Sequence, residues 1–89
     1  MDERYTSLFR WLIVAKSFTE NSASDVISRI KRARTIMDID VPIDIDTLLF
    51  HFTGKSSFKK LTTTVKSQLK RAIRLYKEFN ANSLPKSLR

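Results

Sequence analysis

Residues 61–80 read LTTTVKSQLKRAIRLYKEFN, and this stretch holds the longest helical pattern in the 89-residue chain. Its apolar side chains recur at intervals of three and four residues, as they do on one face of an α-helix. They are Leu61, Val65, Leu69, Ala72, Ile73, Tyr76 and Phe79. The pattern predicts a helix that begins at Ser57 or Thr62 and ends near Asn80. Because so wide an apolar face must be covered by other elements, this helix decides the fold.

Two further amphipathic helices are predicted upstream. The first runs from about Tyr5 to a point between Lys16 and Phe18. The second follows a polar turn, where Ser22 and, three residues later, Asp25 fit a variant of the capping box. We therefore expect Ser22 to be the N-cap of a helix that starts at about residue 23 and extends to about residue 37.

A short helix is predicted after an acidic connector, residues 38–46. The connector alternates apolar and acidic residues in a strand-like way, but the chain has no second strand-like segment to pair with it. Asp44 or Asp46 can cap the short helix, and Gly54 is expected to end it as the residue after the C-cap.

The composition agrees with an all-α fold. One Gly and two Pro are too few for the many turns of a small β domain. A chain of 89 residues has room for one core only. We therefore expect a single small four-helix bundle over residues 1–80, followed by a flexible basic tail over residues 81–89.

The positive charge is concentrated in the C-terminal part of the chain. The formal net charge is +8, and residues 54–89 carry ten basic side chains against one acidic one, Glu78. On a helical projection seven of these cations fill an arc of about 100° to 240° from Val65, opposite the apolar face. They are Lys59, Lys60, Lys66, Lys70, Arg71, Arg74 and Lys77.

This cationic arc is expected to bind a polyanion. Like charges face each other one turn apart at Lys66 and Lys70 and again at Lys70 and Arg74, and each such pair costs up to roughly 0.5 kcal/mol. An external anion would relieve that repulsion, and nucleic acid is the first candidate for a strongly basic protein. Thr63 and Ser67, at the start of the same helix, have side chains suited to contacts in the groove of DNA. The other interpretation is an ordinary solvated helix face.

Several classes of function are excluded or disfavoured. The chain has no Cys and one His, His51, which removes thiolate zinc sites, cysteine nucleophiles and histidine metal clusters. His51 itself is interpreted as a surface or boundary residue. No catalytic spacing is present, and the four aspartates of the connector lack the Gly and Glu positions of a calcium loop. We therefore expect no enzyme, no cofactor, no metal and no small-molecule substrate.

No membrane contact is expected either. The longest apolar run is far shorter than the roughly 20 residues that a membrane span needs, and no signal-peptide cleavage site follows it. The expected location is cytoplasmic.

The order of helices resembles the N-terminal core-binding domain of tyrosine recombinases and phage integrases, over about residues 5–80. The residues that carry the resemblance are caps and core positions of the four helices. They are Phe9, Trp11, Leu12, Thr19, Ser22, Ile30, Asp46, Leu48, Leu49, Leu69, Ala72, Tyr76 and Phe79. The resemblance implies a SAM-like module without the Arg, His and Tyr residues of that family's catalytic domain.

In that family the second and last helices dock on DNA. For this chain the resemblance implies DNA contacts by six residues of the second and last helices. They are Arg29, Lys31, Arg32, Lys66, Lys70 and Arg74. The resulting expectation is a non-catalytic module for double-stranded DNA, either free-standing and encoded by a mobile element or the front part of a longer recombinase. Two alternatives stay open: a small interaction or inhibitor module, whose basic face or aromatic surface around Trp11 meets a protein, and an accessory subunit of a nucleoprotein complex.

Overall fold

The computed structural model describes residues 3–83, and over this range the chain forms five α-helices and no strand. They are α1 (Glu3–Lys16), α2 (Glu20–Ile36), α3 (Ile45–Thr53), α4 (Ser56–Lys59) and α5 (Thr63–Ser83). The predicted all-α class is confirmed. The prediction of four helices differs by one, because the chain makes a separate single turn, α4, before the long last helix begins.

The core lies where α2 and α5 pack on each other, with α1 against both. The predicted apolar faces supply it, and Ile39 of the connector is also fully buried. The buried apolar side chains are Leu8, Leu12, Ala23, Val26, Ile27, Ile30, Ala33, Ile39, Leu48, Leu49, Phe52, Phe58, Leu69, Ala72, Ile73, Tyr76 and Phe79. No polar or charged residue among those described is buried.

The turn between α1 and α2 differs from the prediction. The N-cap of α2 is Thr19 and not Ser22, because the Thr19 hydroxyl accepts a hydrogen bond from the Ser22 backbone N–H at 3.1 Å. The chain reverses just before this point at Ser17, which has a left-handed backbone with φ of 58°. Phe18 then donates its N–H to the Leu12 carbonyl at 3.0 Å, so α2 starts three residues earlier than expected.

The short helix α3 begins as one of the two alternatives predicts and ends at the predicted glycine. Asp44 is the N-cap and accepts the Thr47 backbone N–H at 3.0 Å. Gly54 follows the last residue of α3, but its backbone is right-handed, with φ of −81° and ψ of −12°. Gly54 thus ends the helix as predicted, but it is the C-cap and not the residue after it, and the extended backbone of Lys55 then separates α3 from α4.

The long helix begins after Thr62, the second of the two predicted starts. The Thr62 hydroxyl accepts the Val65 backbone N–H at 3.3 Å, as an N-cap does. The helix continues to Ser83, three residues beyond the predicted end. The predicted boundary at residue 80 thus lies inside α5, and the remainder of the predicted tail, residues 84–89, lies outside the described residues. Across residues 3–83, no helix combines the length and the apolar character needed to cross a membrane.

Candidate nucleic-acid interface

Helix α5 has the two faces that its sequence predicts. Leu69, Ile73 and Tyr76 are completely buried, and Ala72 and Phe79 nearly so. These five side chains fix the rotation of the helix against α2 and α1. The residues on the opposite side must then face solvent.

Four cations follow one edge of the solvent-facing side, and we call them the α5 strip: Lys66, Lys70, Arg74 and Lys77. They are spaced by four, four and three residues, so they extend about 16 Å along the helix at 1.5 Å per residue. Arg74 is exposed and the three lysines are partly buried, as expected when an aliphatic stem lies on the protein and the ammonium group reaches water. Within residues 3–83, no ion pair involves any of the four.

Two members of the α5 strip are oriented by neighbouring segments. The Nζ atom of Lys66 lies 5.7 Å from the centre of the Phe58 ring of α4. The Nζ atom of Lys77 donates a hydrogen bond to the Val41 carbonyl of the connector at 3.1 Å. Neither contact neutralises the charge, so each ammonium group keeps its full charge while its position is constrained.

Two of the seven cations predicted for one arc are not on the long helix, and a third lies at the far limit of the arc from the α5 strip. Lys59 and Lys60 are exposed but belong to α4 and its C-cap, so their predicted place on the long helix is wrong. The reason is the break between α4 and α5, which ends the helical register that the projection assumed. Arg71 lies on the other flank of α5, where its guanidinium carbon is 5.2 Å from the centre of the Phe18 ring.

The two polar candidates on α5 and the three cations of α2 are accessible to different degrees. Thr63 and Ser67 are exposed in the first two turns of α5. On α2, Lys31 and Arg32 are exposed and Arg29 is partly buried. Lys31 borders a groove between α1 and α2, and its Nζ atom is 5.2 Å from the centre of the Tyr5 ring.

Sequence reasoning missed a second cationic cluster, in which two arginines share one carboxylate and two tyrosine hydroxyls. Arg34 of α2 pairs with Asp40 of the connector and donates to the Tyr5 hydroxyl at 2.9 Å and to the Tyr76 hydroxyl at 2.7 Å. Tyr76 donates its own proton to Asp40, and Arg4 contacts the Tyr76 hydroxyl at 3.0 Å. We call these five residues the Arg34 cluster. It joins α1, α2, the connector and α5.

The contacts of the Arg34 cluster stabilise its charges. Partial burial alone would raise the pKa of Asp40, but hydrogen bonds from Arg34 and Tyr76 outweigh that effect and hold the pKa below its ordinary value. Burial works against the charge of Arg34 as well, yet its partners leave the pKa of Arg34 raised. The spacing from residue 34 to residues 40 and 76 follows no helical period, so no sequence pattern indicates the cluster.

The other acidic residues of the connector have local roles. Asp44 caps α3, and the hydrogen bonds from the Thr47 hydroxyl and backbone lower the pKa of its carboxyl group. Asp38 accepts the backbone N–H of Asp40 at 2.9 Å. In the part of the chain that the structure describes, no three His, Asp or Glu side chains are grouped as metal ligands would be.

Two aromatic residues differ in how far they are accessible. Trp11, which the sequence suggested as a protein-contact residue, is partly buried, with its ring centre 5.5 Å from that of Phe79. Phe50 of α3 was not singled out, and it is 76% exposed. Its neighbour His51 is exposed, as predicted, and their ring centres are 5.6 Å apart. The run LLFHF gave no signal for Phe50, because every position from 48 to 52 except His51 is apolar.

No protein-family model, curated protein or solved structure matches the chain. The resemblance to the core-binding domain of tyrosine recombinases therefore stays a prediction.

Proposed function

We propose that the chain is a non-catalytic module that binds double-stranded DNA, with the α5 strip on the phosphate backbone. The observation that carries this proposal is the strip itself: four like charges on one edge of one helix, with no carboxylate paired to any of them in residues 3–83. Elsewhere the chain does pair arginines with a carboxylate, since Arg4 and Arg34 both contact Asp40 in the Arg34 cluster.

The length of the strip suits a polyanion better than a single anionic group. DNA carries a negative charge every 3.4 Å or so along each strand, so about 16 Å of helix faces several phosphates. Lys31 and Arg32 of α2 add exposed cations, as the core-binding resemblance implies. Phosphate contacts of this kind position a protein on DNA without reading its sequence.

A titration of labelled DNA at several salt concentrations tests the proposal. Four phosphate contacts predict a slope of log affinity against log salt of about −3.6, which is a loss of roughly 100-fold between about 50 and 200 mM salt. Changing Lys70→Gln should make the slope shallower by about one, and adding Arg74→Gln by about one more. Arg10→Gln, which removes an exposed cation of α1 outside the strip, is the matched control and should leave the slope nearly unchanged.

The result also separates DNA from an acidic protein partner. Absence of binding to duplex DNA at about 50 mM salt, or a slope that Lys70→Gln and Arg74→Gln do not alter, would overturn the proposal. In that case the interaction or inhibitor module becomes the better hypothesis for the same strip.

A further inference from the structure

An exposed aromatic residue stands at the C-terminal end of α3. Phe50 is 76% exposed, although its neighbours Leu49 and Phe52 are buried in the core. It lies on the side of α3 opposite Phe52, because two residues advance a helix by about 200°. The His51 ring is in T-shaped contact with Phe50 at a centroid distance of 5.6 Å and an interplanar angle of 73°, and the exposure of Phe50 leaves much of its ring accessible.

The surface beside Phe50 is open and cationic. Phe50, His51, Thr53, Gly54 and Lys55 line a shallow depression, and Gly54 contributes no side chain to close it. Lys55 is exposed, and no described carboxylate is paired with it. Lys59 is also exposed and follows one turn later, where its backbone N–H donates to the Lys55 carbonyl at 3.0 Å.

The acidic residue on the Phe50 side of α3 lies near the N-terminal end of that helix. Asp46 is exposed one turn before Phe50, whereas the lysines follow Phe50 in the chain. An anionic strand that contacts Phe50 would therefore place its phosphates toward Lys55 and Lys59 and away from Asp46. The charges thus favour one direction of approach.

An exposed aromatic ring beside lysines is the arrangement that proteins use for unpaired bases. A base that is not in a duplex offers a free face for stacking, and each such contact strengthens binding by about tenfold or more. Bases inside a duplex are already stacked on each other and have no free face to offer. The ligand that fits Phe50 is therefore an unpaired nucleotide.

This aromatic site is connected to the α5 strip through two packed rings. Phe52 of α3 and Phe58 of α4 are in edge contact at a centroid distance of 5.2 Å. Lys66, the first cation of the strip, lies over the same Phe58 ring. Helices α3, α4 and the start of α5 thus form one packed unit that carries both features.

We propose that the DNA this chain prefers is a duplex with adjoining unpaired nucleotides, one of which stacks on Phe50 while Lys55 and Lys59 hold its phosphates. This inference rests on the proposed function, since the α5 strip holds the duplex part. It assigns the substrate class: tailed, gapped or forked DNA in place of continuous duplex.

The experiment compares two ligands, a blunt duplex and the same duplex with a single-stranded tail of about four nucleotides. Wild-type protein should bind the tailed duplex about tenfold more tightly. A fluorescent adenine analogue in the tail should be quenched on binding, which reports stacking directly. Phe50→Ala should abolish the preference and the quenching while leaving the affinity for blunt duplex within about twofold, whereas Phe50→Trp should keep both.

Matched variants exclude a general surface effect. Val14 is also 76% exposed, on α1, so Val14→Ala removes equally exposed apolar surface without an aromatic face and should leave the preference intact. Lys55→Gln should reduce the affinity for the tailed duplex more than that for the blunt one. Circular dichroism of each variant verifies that it is folded.

The outcomes separate the two proposals. If blunt duplex is bound with the expected salt slope but the tail adds nothing, or if Phe50→Ala leaves the preference unchanged, this inference fails and the proposed function stands. If blunt duplex is not bound at all, the proposed function fails. If sedimentation of the DNA-free protein shows a dimer that Phe50→Ala dissociates, Phe50 serves a second copy of the chain and the inference is overturned.

Discussion

The Arg34 cluster and the α5 strip use the same kind of residue in opposite ways. In the cluster, Arg34 has two tyrosine hydroxyls and a carboxylate as partners, and its side chain is 25% exposed. In the strip, Lys70 and Arg74 have no ion-pair partner among residues 3–83. The cluster connects four segments of the fold through one hydrogen-bond network, whereas the strip makes two separate contacts with other segments, from Lys66 to the Phe58 ring and from Lys77 to the Val41 carbonyl. Formal charge alone therefore says little about which cations are available for a ligand.

The largest effect on stability is expected from Asp40→Ala. The change removes the acceptor of Arg34 and Tyr76, and hydrogen bonds to charged groups contribute roughly 1.5–3 kcal/mol when they are buried. Because Asp40 is 37% exposed, water replaces part of the loss, and we expect the free energy of unfolding in urea to fall by about 2 kcal/mol. Asp25→Ala, an exposed acid of α2, should change it by less than about 0.5 kcal/mol. Equal stability of Asp40→Ala and wild type would show that the cluster is no more structural than the strip.

At low pH, the difference in free energy of unfolding between wild type and Asp40→Ala should disappear. The pKa of Asp40 is below its ordinary value in the folded state, so the carboxylate stabilises the fold above about pH 4 and this contribution is lost as the pH falls through the folded pKa. The free energies of unfolding of the two proteins should therefore converge between about pH 5 and pH 2. Parallel curves over this range would contradict the assignment of the ion pair to Asp40. Wild type should still lose stability in common with the variant, because Asp44 also has a lowered pKa.

A smaller effect is expected from Tyr76→Phe. The ring stays buried in the core, but Arg34 and Arg4 lose a hydroxyl acceptor and Asp40 loses a donor. The expected loss is about 1 kcal/mol in the free energy of unfolding, the usual net contribution of such hydrogen bonds. Combining this change with Asp40→Ala should cost less than the sum of the two, since both remove parts of one network. An additive double variant would show that the two side chains act independently.

The smallest effect on stability is expected in the strip. Lys70→Gln removes a like charge one turn from both Lys66 and Arg74, so stability should stay the same or rise by up to about 0.5 kcal/mol. The gain should shrink as salt is added, because salt screens exposed charges. DNA affinity and stability would then change in opposite directions. A clear loss of stability instead would mean that Lys70 has a structural contact and that the contrast with the Arg34 cluster is false.

The core of the fold follows from patterns within single helices. The spacing of Leu69, Ile73 and Tyr76 predicts a buried face, and these three side chains are buried. Such local patterns are reliable because each depends only on the geometry of one helix. They also give the two starts for the long helix, of which Thr62 is the one used.

The wrong or missing predictions concern features that depend on how neighbouring segments are arranged. Thr19 and Ser22 are both residue types that serve well as N-caps. The chain reverses at Ser17, and α2 therefore begins three residues earlier than predicted, with Thr19 as its N-cap. Gly54 ends α3 as predicted, but as its C-cap and not as the residue after the C-cap. The Arg34 cluster and the exposure of Phe50 depend on how helices pack, which no pattern within one helix contains. The predicted DNA contacts themselves stay predictions until the titrations are made.

The burial of Tyr76 has a consequence for the order in which the protein can fold. Residues 4, 34 and 40 leave the ribosome well before residue 76, and until α5 follows, the apolar sides of α1 and α2 are covered only in part, where these two helices pack on each other. A nascent chain that ends before α5 therefore exposes apolar surface of α1 and α2, and Arg34 lacks its hydrogen bond to the Tyr76 hydroxyl. Synthesis should yield an incompletely folded polypeptide first, and the native state should form in one step after α5 emerges.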